Sequence, residues 1–102
     1  MTDLSRVFDH IDANFESYLQ EIRRFLAQPG YSHTGEGMEQ SAAMALEYIR
    51  SLGSEHCRLL TTDGYPVATG LLRSHDPQAK TLIVYSFYDE VPVTPADWTF
   101  PA

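Results

Sequence analysis

The sequence predicts an α/β fold in which two helices are followed by a short mixed sheet. Three observations carry this expectation. Apolar residues recur at three-and-four spacing over the first 27 positions, a second helical stripe follows a glycine-rich break, and three later runs have strand character. At 102 residues, 43% of them apolar, the chain is long enough for one compact domain and too short for two. Residues 1–102 are therefore read as a single domain.

From Asp3 to Ala27, positions such as Leu4, Val7, Phe8, Ile11, Phe15 and Tyr18 form one helical stripe, expected to pack into the core. Thr2 or Asp3 can cap its start, Arg23 and Arg24 suit its C-terminal dipole, and Gln28-Pro29-Gly30 stops it. A polar loop, Tyr31-Ser32-His33-Thr34-Gly35-Glu36-Gly37, leads to a second helix from about Met38 to Leu52. Ala42, Ala45, Leu46, Ile49 and Leu52 should face inward, Gly53 should end the helix, and the alanines imply a close approach to the sheet. Two runs, His56 to Thr62 and Pro66 to Arg73, flank Asp63-Gly64-Tyr65-Pro66 as a hairpin. After a solvated connector, Thr81 to Tyr88 reads as a strand apolar enough to be covered on both faces.

A net charge of -7, from 14 acidic against 7 basic residues, gives no footprint for nucleic acid or an anionic membrane surface. No apolar run approaches the roughly 20 residues that span a bilayer, and Met1-Thr2-Asp3 lacks the order of a secretory signal. A cytoplasmic location is the expectation. Cys57 is the single cysteine, which rules out an internal disulfide, and it reads as a half-buried strand residue.

His10, His33, His56 and His75 lack the three-to-five spacing that sets a metal-binding pair on one helix face. The loop around His33 reads as the lead-in to the second helix, with Ser32 or Thr34 as its cap. Asp89 differs, because a carboxylate directly after a buried strand sits where side chains converge on a substrate or metal. It serves equally well as a turn residue ahead of Val91-Pro92, and spacing does not separate the two roles.

Thr81 through Val93 reads TLIVYSFYDEVPV, with Trp98-Thr99-Phe100-Pro101 shortly after. Ahead of it stand Ile22-Arg23-Arg24-Phe25-Leu26 through Gly37, and Tyr48 through Gly53. In order and spacing these segments resemble the N-terminal part of the zinc-dependent amidohydrolases and metallopeptidases. That family includes acetylornithine deacetylase, succinyl-diaminopimelate desuccinylase, aminoacylase, glutamate carboxypeptidase and carnosinase-type dipeptidases. Its strand motif reads "tlLlyGHyDVqPv" and is followed by "W..pPF". The resemblance implies the N-terminal part of a zinc-exopeptidase-like three-layer fold, an incomplete domain at this length. It also implies zinc as the family's cofactor, and small peptides or N-acyl amino acids as substrates of a full-length form.

In the family the histidine of "HyD" is a zinc ligand, and the aspartate two residues on orients it, an arrangement that fixes the tautomer and raises ligand basicity. Asp89 keeps the aspartate and is the candidate catalytic residue by resemblance. Phe87 occupies the ligand position and has no lone pair to give. The family's other ligands and its general base lie further along a longer chain. The expectation is thus a truncated, divergent hydrolase fragment, inactive alone and binding no zinc. A non-catalytic interaction module capable of self-association, or an inert remnant, is the alternative.

Overall fold

A computed structural model describes residues 3–100. Helix α1 spans Ser5–Leu26, α2 spans Met38–Ser51, strand β1 spans Glu55–Leu60 and β2 spans Val67–Leu71; a short 3-10 turn covers Pro95–Asp97. The fold is α/β in this general sense. Asp3 accepts a hydrogen bond from the Ser5 amide at 2.9 Å, satisfying one of the open donors of the first turn. That bond holds the Asp3 carboxyl below its ordinary pKa. The N-cap itself is Leu4, with no side-chain bond, so Asp3 acts from one position before the expected cap; Thr2, the other expected cap, lies outside the described residues.

Helix α2 is the centre of the packing. Met38, Ala42 and Leu46 are buried, with Ala42 at 0% exposure, and Ser41 is buried beside them. The hairpin lies against this helix, β1 and β2 pairing antiparallel with Leu59 opposite Ala68 and Leu60 opposite Val67. The close approach expected of the alanines is achieved as much by Gly70, since the Cβ it lacks would overlap Ile49 Cγ2 and sit 3.3 Å from Cys57 Sγ. A bulge between Glu55 and Arg58 accompanies this contact, and His56 takes a positive φ of 53° there. Cys57 is half-buried on β1, with its thiol 3.1 Å from the Ser54 carbonyl. Leu52, expected inward, is 66% exposed because α2 ends at Ser51 and Gly53 reverses the chain with φ 77°.

Two larger expectations fail. Helix α1 buries none of its residues, and Phe8 and Phe15 are 59% and 55% exposed, so its stripe is not core in this chain. Its last turns hold it to the rest of the fold: Phe25 meets Tyr48 edge-on at 5.8 Å, the Tyr48 hydroxyl donates to the Glu21 carbonyl at 3.1 Å, and Arg24 reaches Glu47 at 3.2 Å. The second failure is the strand expected from Thr81 to Tyr88, which is not a strand and has Ile83 83% exposed. A strand exists through its neighbours' hydrogen bonds. The hairpin pairs only with itself among the described residues, so the expected mixed sheet reduces to two antiparallel strands and a lone parallel bridge, Tyr31 with Glu90.

Magnitudes agree with that picture. A folded monomer of this size exposes roughly 5,800 Å², and this chain exposes 8930 Å². Its radius of gyration is 16.9 Å, against about 13 Å for a compact domain of similar length. Much apolar surface is therefore uncovered.

Candidate functional site

Three segments distant in sequence meet at one end of α2. The loop before that helix contributes Ser32, the tip of the hairpin contributes Tyr65 and Pro66, and the segment after the connector contributes Phe87, Tyr88 and Asp89. Hydrogen bonds fasten them. The Ser32 hydroxyl donates to Asp89 Oδ2 at 2.8 Å, the Tyr65 hydroxyl donates to the Ser32 carbonyl at 2.7 Å, and the Tyr88 hydroxyl donates to the Pro66 carbonyl at 2.7 Å. The Glu90 amide donates to the Gly30 carbonyl at 2.7 Å, so the backbone on the far side of Asp89 is held as well.

The loop does not do what its composition suggests. Neither Ser32 nor Thr34 caps α2, whose N-cap is Gly37 with no side-chain bond. Ser32 instead turns to Asp89, and Thr34 accepts from the Glu36 amide at 3.3 Å within the loop. His33 sits edge-on to Tyr31 at 6.2 Å. Asp89 thus stands at the cavity wall with its carboxylate held by the Ser32 hydroxyl.

The cavity behind these residues measures about 1010 Å³ and opens between α1, α2 and the hairpin. Ile22, Phe25, Ile49 and Val67 form apolar parts of its wall, with Ser32 and Asp89 among the polar groups at the edge. Phe87 borders it too, 74% exposed and edge-on to Tyr85 at 5.1 Å. Trp98 is 55% exposed and is not part of the wall, while Pro101 lies outside the described residues. Burial, reinforced by the nearby Asp89 carboxylate, raises the Tyr88 pKa above its ordinary value.

That shift predicts a pH dependence. A raised pKa in the folded chain means the unfolded chain releases its proton first, so the contribution is intact below roughly pH 10, the tyrosine's ordinary pKa, and is lost as pH rises above it. Tyr88→Phe should flatten this alkaline loss in urea titrations repeated across that range. An unchanged alkaline slope would show that Tyr88 does not report the contact.

The donor set does not make a zinc centre. Among the described residues no three His, Cys, Asp or Glu side chains gather as a metal would require. Asp89 is engaged by Ser32, and the Phe87 ring beside it has no lone pair to offer a metal. No metal-dependent step follows from these residues alone. What they can do is bind: a largely apolar cavity with the Glu21 and Asp89 carboxylates and several tyrosines in its lining suits an apolar group carrying a polar end. Sequence reasoning passed over Tyr65 and Tyr88, although the Tyr-Pro pair at the hairpin tip was a signal that an aromatic hydroxyl sits where loops converge. Comparison with protein families, with curated proteins and with solved structures finds no match to this chain.

Proposed function

We propose that the chain is the N-terminal segment of a divergent amidohydrolase or metallopeptidase, contributing one wall of a catalytic domain whose complete form cleaves amide or peptide bonds with a metal-activated water. Small peptides or N-acyl amino acids are its substrate class. The observation that carries the reading is the apolar segment from Leu82 to Phe87, exposed beside a large apolar cavity yet ending in an anchored Asp89. A run of that composition is stable in water only when other strands cover it. The motif written around Asp89 supports a hydrolase as the source of those strands.

In this reading Asp89 is a positioning residue for a metal ligand, and Ser32 sets the direction of its carboxylate. The 102-residue chain alone performs no hydrolysis in this reading, because no metal-ligand set is assembled among the described residues. A second reading, a non-catalytic interaction module, is favoured by one separate observation, the uncovered stripe of α1.

The test measures bound metal and N-acyl amino acid hydrolysis on the 102-residue chain and on the longest reading frame that contains it. Metal and activity in the longer product only are the expected result. A frame that closes at Ala102, or a longer product free of both, would overturn the hydrolase reading.

A further inference from the structure

The exposed stripe of α1 has a more specific pattern than amphipathicity. Leu4, Ile11, Tyr18 and Phe25 recur every seven residues. Phe8, Phe15 and Ile22 recur every seven between them, four residues after one member of the first set and three before the next. Alternating steps of four and three over three heptads fit the seam of a coiled coil, with Val7, Leu19 and Leu26 widening it on its flanks. The first six of these seven residues in chain order, Leu4 to Ile22, are between 41% and 59% exposed; Tyr18 and Ile22 also border the cavity, and Phe25 packs against Tyr48.

From this seam we infer that α1 is a self-association surface, on which a second copy of the chain seats its own α1 in antiparallel orientation. Charge decides the direction. Ser5 to Glu16 carries Arg6 against Asp9, Asp12 and Glu16, whereas Ser17 to Leu26 carries Arg23 and Arg24 against Glu21. Antiparallel pairing sets the acidic half of each helix beside the basic half of the other and opposes the two macrodipoles; parallel pairing stacks like on like. The register that leaves Phe25 in its own fold places Leu4 opposite Ile22, Phe8 opposite Tyr18 and Ile11 opposite Phe15 of the second copy.

The area is sufficient. Six half-exposed apolar side chains, at on the order of 100 Å² apiece, give roughly 1,200 Å² over both copies, the lower edge of a specific interface. Because the two faces are the same patch, the contact closes on itself as a two-fold dimer and does not propagate. The inference uses none of the hydrolase reading and stands or falls separately.

Sedimentation equilibrium of the 102-residue chain tests it. The expected result is a reversible monomer–dimer equilibrium. A monomer at every concentration up to ~1 mM would overturn the proposal. The double variant Phe8→Glu, Phe15→Glu should be monomeric with unchanged far-UV helix content, both positions being exposed; a persistent dimer would place the interface elsewhere and overturn it. Orientation is read by cross-linking in a Cys57→Ser background. Leu4→Cys and Ile22→Cys chains should form a disulfide only when mixed, whereas efficient disulfides within either chain alone would mean parallel pairing and overturn the assignment.

Discussion

Gly37→Ala is expected to lower the urea midpoint well beyond the effect of Gly53→Ala, with the slope of the transition unchanged. Both glycines have positive φ, 69° and 77°. Alanine at either position therefore meets the same backbone cost of about 1–2 kcal/mol for the left-handed conformation. Their surroundings differ. A Cβ on Gly53 meets nothing within 4 Å, whereas one on Gly37 would overlap the Pro29 carbonyl. That oxygen belongs to rigid backbone and also accepts a hydrogen bond from the buried Ser41 hydroxyl at 3.3 Å, so relief requires the whole turn to move. Overpacking of that kind costs roughly a further 1–3 kcal/mol. With Met38, Ala42 and Leu46 as the buried apolar residues of the described chain, such a loss is a large share of its stability. Equal losses in the two variants would mean that the loop yields freely, and the anchoring of Ser32 against Asp89 would then be soft as well.

Legibility in the sequence followed the range of the forces involved. Both helices and the hairpin were readable because their patterns are local: a three-and-four stripe, a glycine at each stop, and Asp63-Gly64 between two strand-like runs. The run from Leu82 to Tyr85 has the composition of a strand, but pairing is a property of neighbours, and none of the described residues supplies a ladder for it. Likewise the stripe of α1 was legible but its exposure was not, because burial depends on what the rest of the fold brings against it. At the site, Ser32 and Asp89 were each singled out for separate reasons 57 positions apart, and their bond depends on how the loop and the last segment pack around α2. Tyr65 and Tyr88 contribute through hydroxyls aimed at the carbonyls of Ser32 and Pro66, partners that no spacing rule reveals.

If the hydrolase reading holds, one residue separates this segment from a metal-binding one. Phe87→His, made in the longest reading frame containing the chain, is expected to raise zinc affinity by at least about 10-fold, since even indirect partners of a metal ligand contribute 10–100-fold. Residues 87 and 89 are two apart, so in extended backbone both side chains share one face, and Asp89 can reach the far nitrogen of an imidazole at 87. The gain should therefore depend on Asp89: adding Asp89→Asn to the histidine variant should remove most of it, and a double-mutant cycle measures the coupling. In the 102-residue chain the same substitution should yield no comparable zinc site, because a histidine and an engaged aspartate fall short of the three protein ligands a zinc centre uses. Calorimetric titration with zinc distinguishes these cases. Affinity no higher in the histidine variant of the longer product would mean that position 87 never faced a metal, and the exposed phenylalanine would then belong to a binding surface.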